Sequence, residues 1–246
     1  MLHGSTTMGV DDAFSDLDLW LLLDRAQLVA LDALSPTRFF GFRLDGKEGH
    51  VCVHGVEEFD ARIRGCDMDI IYQLRLCEAL SDGTSDARRL KALASRQMPE
   101  DVRRALFMWH YVEMRGEHRS CDTPIERGDA VALLLGVAKT ITHALRAAMV
   151  LDGQPYPYDK WLFKAAGSAP TGAMVASGVE SLLKRISTGA LAIGGPEKQH
   201  PIGLELREIR RILVEAARAG GIDGPWLDRW WLQMDAARAV YQAVRW

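Results

Sequence analysis

The feature that most constrains this chain is an acidic pair placed directly before an apolar run. Residues 16 to 23 read Asp-Leu-Asp-Leu-Trp-Leu-Leu-Leu. The apolar run is short, is bounded by acidic residues and does not follow helical spacing, so it predicts a buried β-strand. Asp16 and Asp18 therefore lie at the start of a strand.

These two carboxylates point to the same face, because side chains alternate along a strand and residues two apart are roughly 6 to 7 Å from each other. Two anions held together at the mouth of an apolar strand repel each other and lose hydration, and a bound cation removes that cost. Oxygen ligands favour Mg²⁺, which takes one or two carboxylates plus substrate phosphates. Asp16 and Asp18 therefore predict half of a Mg²⁺ site.

A second short motif precedes the pair. Gly4-Ser5 is separated from Asp16 by ten residues. Glycine lets the backbone approach a ligand closely, and neighbouring N–H groups can surround phosphate oxygens. A Gly-Ser pair alone is most often an ordinary turn. Its position ahead of an acidic pair and an apolar strand makes phosphate binding the more specific interpretation.

Together these residues resemble the nucleotidyltransferase superfamily, whose fold is the palm of DNA polymerase beta. The resemblance rests on Gly4-Ser5 followed by Ser15-Asp16-Leu17-Asp18-Leu19, and it is greatest to small antibiotic-modifying and related enzymes with a helical domain after the catalytic one. It implies that Gly4, Ser5 and Ser15 contact the nucleotide, with the terminal phosphates on the Gly-Ser loop. It also implies that Asp16 and Asp18 bind Mg²⁺ and act in catalysis.

The resemblance also implies a third carboxylate on a neighbouring strand. This sequence has none at the expected position. The next strand is predicted at His50-Val51-Cys52-Val53-His54, after a turn that makes a hairpin with residues 39–44. Cys52 stands at the position of the acid. A thiol is mostly protonated at neutral pH and is a poor Mg²⁺ ligand, so it cannot replace a carboxylate directly.

Four explanations remain open for this departure. Glu57, Glu58 or Asp60 could supply the carboxylate from the following segment, or His54 could act as the base. The alignment could be displaced by one strand, or catalysis could have been lost. The candidate catalytic residues are Asp16, Asp18, His54 and Glu57.

A further candidate is Lys160. Two prolines and two tyrosines prevent a helix up to Tyr158, after which Asp159 can cap one. A lysine in the first turn of a helix opposes the helix dipole, so its position needs another reason. The resemblance supplies one, because such helical domains often carry a Pro-x-x-Lys-Trp element whose lysine reaches the triphosphate. The ordinary alternative is a solvated lysine beside a buried Trp161.

The fold class predicted is α+β. A polymerase-beta-like palm with a small mixed sheet is expected over residues 1–65, with a very short strand before Gly4, and an all-helical substrate- or nucleotide-binding domain over residues 66–246. A capping box at Thr123 predicts one helix from there to about Leu151. The last helix is predicted to carry Trp226 and Trp230 on one stripe. The other helices are predicted at residues 69–79, 85–94, 100–115, 173–187 and 203–219.

Composition restricts the partners. The net charge of −3 gives no general attraction to nucleic acid. No run of ~18 uninterrupted apolar residues is present, and the first residues lack a basic segment followed by an apolar one. The four cysteines form no C-x-x-C pair and are expected to be reduced thiols. We expect a cytoplasmic protein that does not bind membranes, as a monomer or homodimer.

The predicted reaction is Mg²⁺-dependent transfer of a nucleoside monophosphate, AMP from ATP being the first choice, to a hydroxyl of a small molecule, with release of pyrophosphate. Alternatives are transfer to a protein or tRNA, a non-catalytic nucleotide-binding relative that lacks the third carboxylate, and an interaction protein with a degenerate palm. The sequence does not identify the nucleotide or the acceptor.

Overall fold

A computed structural model describes residues 1–246 as two compact units. Unit 1 comprises Met1–Gln97 together with Arg245–Trp246, and unit 2 comprises Met98–Val244. The contacts therefore group the first helices after residue 65 with the sheet. The boundary at residue 65 between a catalytic and a helical domain stays a prediction.

Unit 1 contains a four-stranded mixed sheet in the order β1-β2-β4-β3. β1 is antiparallel to β2, β2 is parallel to β4, and β3 is antiparallel to β4. The strands and helices of unit 1, in chain order, are β1 (Leu2–His3), β2 (Leu17–Leu23), α1 (Arg25–Leu34), β3 (Phe39–Leu44), β4 (Lys47–Gly55), α2 (Val56–Arg64), α3 (Met68–Leu76) and α4 (Asp86–Ala94).

The β3–β4 hairpin is confirmed, and its turn explains the register. Asp45 and Gly46 connect the strands with φ values of 49° and 83°, which is the left-handed backbone that a two-residue hairpin turn requires. The predicted strand β2 and the very short strand before Gly4 are also confirmed. Trp20 is the buried residue of β2, and the rest of that strand is only partly covered.

The last residue of the chain packs on unit 1. The Trp246 backbone N–H donates to the Arg64 carbonyl at 3.0 Å, and its indole N–H donates to the Leu93 carbonyl at 3.3 Å. The Arg75 guanidinium lies 5.8 Å from the centre of the Trp246 ring. Trp246 therefore connects the ends of α2 and α4.

Unit 2 is entirely helical, which together with the mixed sheet of unit 1 confirms the α+β class. Short 3-10 turns occupy residues 190–192, 197–199, 225–227 and 230–232. Its α-helices are α5 (Glu100–Ser120), α6 (Asp122–Arg127), α7 (Ala130–Leu151), α8 (Asp159–Ala166), α9 (Pro170–Ser187), α10 (Pro201–Ala219) and α11 (Met234–Ala243).

The predicted single helix from Thr123 to Leu151 is wrong. Thr123 lies inside the short helix α6, which ends at Gly128 in a left-handed conformation with φ 66°. Asp129 then caps α7, its carboxylate accepting the Ala132 N–H at 3.1 Å. The glycine breaks the helix, and the aspartate directly before the apolar run supplies the real cap.

The predicted final helix over residues 225–245 is also wrong at its start. Trp226 and Trp230 are buried in two separate 3-10 turns, and the regular helix begins only at Met234. Both tryptophans pack against α5: the Trp226 ring lies 5.5 Å from Phe107, and the Arg115 guanidinium lies 5.9 Å from the Trp230 ring. The backbone conformation of this segment is therefore set by the burial of two large aromatic side chains more than by helical periodicity.

Helix α7 is long and apolar enough to cross a membrane by length and composition alone, and half of its most apolar stretch is buried inside the folded chain. It packs against α5 and α9. Its fully buried residues include Leu133 and Ala144. Those contacts are typical of the central helix of a helical bundle.

Candidate active site

The acidic pair lies at the entrance of β2 and faces the neighbouring strand. Asp16 immediately precedes β2, and Asp18 is its second residue. The parallel pairing of β2 with β4 places Asp18 opposite His50. Residues paired in this way project to the same face of a sheet, so His50 joins the two carboxylates.

Asp16, Asp18 and His50 form a compact group, called here the Asp-Asp-His cluster. One potential ligand atom from each residue lies within 4.8 Å of the others. The Asp16 Oδ2 atom is 3.0 Å from His50 Nδ1. An ionised carboxylate can only accept, so Nδ1–H donates in this contact and orients the Asp16 carboxylate. The side chains of Asp16 and His50 are 43% and 31% exposed, which leaves the cluster accessible to a ligand.

The Gly4-Ser5 bend lies directly against this cluster. Gly4 has φ 79°, and a Cβ atom at this position would lie 2.6 Å from Asp18 Oδ2. Only glycine therefore fits, for both its backbone conformation and the nearness of the carboxylate. The Gly4 carbonyl accepts the Met8 N–H at 3.2 Å, which closes the bend, and Ser5 is buried. The motif and the acidic pair thus meet in space across the ten intervening residues.

Sequence reasoning missed His50 as a member of the group. The signal was available in part, because His50, Cys52 and His54 alternate along one strand. Alternation tells which residues share a face, but it does not give the register of β4 against β2. The register decides that His50, rather than Cys52 or His54, stands opposite Asp18.

Cys52 stands two pairs further along, opposite Trp20. Burial raises the pKa of the Cys52 thiol, and the nearby Asp18 charge raises it further. The thiol therefore stays protonated at neutral pH and adds no negative charge to the cluster. All four cysteines are free thiols.

His54 and Glu57 lie towards the other end of β4. His54 is four residues beyond His50, which corresponds to roughly 13 Å along an extended strand. Its ring contacts the edge of Phe59, and burial is the main cause of its lowered pKa. Glu57, in the first turn of α2, lines a separate cavity with Arg25 and Arg38. The structure does not bring these two predicted residues to the Asp-Asp-His cluster.

The other candidates for a third carboxylate are engaged in ion pairs. Glu58 accepts the Gly55 N–H and lies 2.9 Å from Arg38, and these interactions, the first more than the second, hold its pKa below the ordinary value. Asp60 pairs with Arg64 and Arg89 at 2.5 and 2.9 Å. Neither forms part of the Asp-Asp-His cluster.

Ser15 and Lys160 complete the set of predicted residues. The Ser15 hydroxyl donates to the Asp12 carboxylate at 3.0 Å, inside the loop before β2. Lys160 lies in the first turn of α8 in unit 2, with its Nζ atom 4.8 Å from the centre of the Trp161 ring. Their contacts with a nucleotide stay predictions.

Comparisons with known proteins match one family model and several solved structures. The matched family is a domain of unknown function, DUF4037. Its model covers residues 69–162, from α3 to α8, so it includes the Pro157–Trp161 element and neither aspartate of the cluster. A comparison of the sequence with curated proteins finds no match.

Among solved structures, the chain is similar to a nucleotidyltransferase-like protein from Exiguobacterium sibiricum 255-15, with a TM-score of 0.49 and 12% sequence identity. The alignment covers 82% of this chain and 63% of that protein. The chain therefore spans less than two thirds of that protein's length.

The donor set of the cluster fits a divalent cation. Carboxylate oxygens suit Mg²⁺ and Mn²⁺, and an imidazole nitrogen extends the range to Mn²⁺ and Zn²⁺. Two carboxylates this close together, without a cation beside them, repel each other. Asp16, Asp18 and His50 would hold the metal, and its identity is open.

Proposed function

We propose that unit 1 is a metal-dependent nucleotidyltransferase domain. The observation that carries the proposal is the contact of the Gly4-Ser5 bend with Asp18, in which no Cβ would fit at Gly4. It places a backbone turn suited to phosphate oxygens against a carboxylate pair suited to a divalent cation.

The reaction proposed is transfer of a nucleoside monophosphate, with AMP from ATP as the first choice, to a hydroxyl group of a small molecule. The acceptor oxygen forms a bond to the α-phosphorus, the bond from that phosphorus to the pyrophosphate oxygen breaks, and the hydroxyl proton passes to solvent water. A divalent cation bound by the cluster would neutralise charge on the phosphates.

The residues of the chain contribute position and charge. The Gly4-Ser5 backbone would receive the terminal phosphates, and the His50 N–H keeps the Asp16 carboxylate turned into the cluster. No side chain is needed as a covalent nucleophile, because the acceptor supplies the attacking oxygen.

The test uses binding of a non-hydrolysable ATP analogue, measured by calorimetry with and without Mg²⁺ or Mn²⁺. Asp16→Asn and Asp18→Asn are each expected to weaken metal-dependent binding at least 100-fold, because each removes one anionic ligand. Asp11→Asn removes the same charge from the exposed loop before β2 and should bind like the wild type. Unchanged binding in both cluster variants would refute the proposal.

A second candidate is a nucleotide-binding protein without transfer activity. The protonated Cys52 favours it, because no third carboxylate joins the cluster. Incubation with α-labelled ATP, Mn²⁺ and a panel of hydroxyl compounds, including aminoglycosides and lincosamides, separates the two. Labelled product supports transfer to small molecules, label on protein or tRNA supports the macromolecular acceptor, and binding without any labelled product supports the second candidate.

A further inference from the structure

Unit 2 contains a cavity of about 450 Å³ whose lining is strongly cationic. We call its cationic residues the basic pocket. They come from α5, from the 3-10 turn at residues 197–199 and from α10, segments that are far apart in the sequence. The basic pocket consists of Arg115, Arg119, Lys198, Arg207 and Arg210.

Two carboxylates in the lining offset only part of this charge. Asp122 pairs with Arg119, and Glu197 pairs with Arg207 at 2.6 Å. His118, also in the lining, is buried, and its pKa is lowered to about 3 by burial and then by the neighbouring arginines, so it is neutral at physiological pH. The cavity therefore keeps an excess of three positive charges.

The excess charge is carried by Arg115, Lys198 and Arg210, which form no ion pair with a carboxylate. Arg115 is the most constrained of them. Its Nε atom is buried and has no hydrogen-bond partner, although its guanidinium lies over the Trp230 ring. Burying an arginine without a directly paired carboxylate is costly unless an anion completes the site.

The adjoining surface of α10 is not cationic in the same way. Arg211 pairs with Glu208 and Glu215, at 2.5 and 2.6 Å. Arg218 pairs with Asp228 at 3.4 Å. The uncompensated charge is thus confined to one cavity and does not continue as a stripe, which favours a compact anion over an extended polymer such as nucleic acid.

From these observations we propose that the basic pocket binds the phosphoryl group of a small molecule. Guanidinium groups offer paired N–H donors that match phosphate oxygens, and a lysine adds a mobile point charge. The cavity volume lies within the range of roughly 300 to 1,000 Å³ that is usual for small-molecule sites. The site lies wholly within unit 2, and the inference does not depend on the function proposed for unit 1.

The probes are inorganic phosphate, pyrophosphate and ribose 5-phosphate, titrated calorimetrically into the full chain in EDTA, with chloride at matched ionic strength as the blank. EDTA removes metal-dependent binding at the Asp-Asp-His cluster, and Asp18→Asn should bind the probes like the wild type. The best probe identifies the source: inorganic phosphate, pyrophosphate or an organic phosphate monoester.

Arg210→Gln and Lys198→Gln are each expected to weaken binding of the best probe at least tenfold. Arg185→Gln is the matched control, since Arg185 is an exposed arginine of unit 2 that pairs with Glu205 away from the basic pocket. Arg115→Met should raise the melting temperature of the free protein, because it removes an unpaired buried charge, while abolishing the stabilisation by phosphate. A purely structural role of Arg115 predicts the opposite change in melting temperature.

The proposal is overturned if no probe binds above the chloride blank, or if the pocket variants bind like Arg185→Gln. It is also overturned if a single-stranded oligonucleotide binds more than tenfold tighter than every small phosphate, since the surface would then serve nucleic acid.

Discussion

The Asp-Asp-His cluster of unit 1 gathers negative charge, the basic pocket of unit 2 gathers positive charge, and the two sites are built in different ways. The cluster is partly exposed, and its members are placed by one bend and one strand pair. The basic pocket gathers residues that are more than ninety positions apart, and it includes a buried arginine atom without a partner. The positions of the side chains are therefore set by strand register in the Asp-Asp-His cluster and by helix packing in the basic pocket.

This difference explains what the sequence reveals. One short stretch of the sequence contains Gly4, Asp16 and Asp18. Strand alternation and turn chemistry therefore suffice to predict that they belong to one site. Arg115 and Arg210 carry no local signal, because an arginine on a helix is ordinarily a solvated residue. Only the packing of α10 near the end of α5 gives them a common cavity.

The largest effect is expected from Gly4→Ala. The new Cβ would collide with Asp18 Oδ2, and the left-handed backbone would be strained as well. Metal-dependent binding of the ATP analogue should fall more than 100-fold, while phosphate binding by unit 2 is unchanged. Gly9→Ala is the matched control, because Gly9 also has a positive φ, 64°, but has open space around it. Equal losses in both variants would show that backbone strain, and not the contact with Asp18, matters.

A smaller effect is expected from His50→Leu. Losing His50, which orients Asp16 and is itself a candidate ligand, should weaken Mn²⁺ binding by at least about tenfold to a hundredfold, the usual cost of removing a residue that positions a metal ligand. His54→Leu removes an imidazole from the same face at the other end of β4 and should leave Mn²⁺ affinity unchanged. Titration of the metal, followed by calorimetry, checks both. A larger effect of His54→Leu would favour His54 as the catalytic histidine, as the sequence predicted.

Acid should destabilise unit 2 through its buried histidines. The pKa of His143 is lowered to about 4, mainly by burial, and that of His118 to about 3. The unfolded chain therefore takes up protons below about pH 6.5 that the folded chain refuses, so stability is lost as the pH falls from there towards the folded pKa values. At pH 5.5 each histidine should cost about 1 kcal/mol.

Urea unfolding monitored by hydrogen exchange in α5 and α7, at pH 7.0 and 5.5, measures this loss. Phosphate in the basic pocket would offset part of it at His118, since the anion would reduce the repulsion from the neighbouring arginines. A free energy of unfolding that is the same at both pH values would contradict the burial of these histidines as neutral groups.

The smallest effect concerns the scaffold of unit 2. Asp129→Ala removes the cap of α7 and should lower the free energy of unfolding by about 1 kcal/mol. Thr123→Ala, at the position that the sequence favoured as the cap, should change it by less than about 0.5 kcal/mol, because the side chain lies inside α6. Chemical denaturation of the two variants compares them directly. A larger loss for Thr123→Ala would favour the continuous helix.

Local signals predicted much of the fold and two of the three residues of the cluster. The acidic pair, the hairpin at Asp45-Gly46 and most of the helices follow from alternation, turn residues and apolar periodicity. His50 could not be assigned to the cluster without the register of β4 against β2. The break at Gly128 was missed because the sequence on both sides of it has helical periodicity. Trp226 and Trp230 fall on a helical stripe in the sequence, yet their burial against α5 is achieved by two 3-10 turns.

The packing of Trp246 on unit 1 has a consequence for the order of events during synthesis. Residues 98–244 form unit 2 as one continuous segment, whereas unit 1 combines residues 1–97 with residues 245–246. A chain emerging from the ribosome can complete the second unit before the first, because the side chain that connects Arg64 to Leu93 is translated after both. The surface of unit 1 that Trp246 covers therefore stays uncovered until translation of the helical unit has ended.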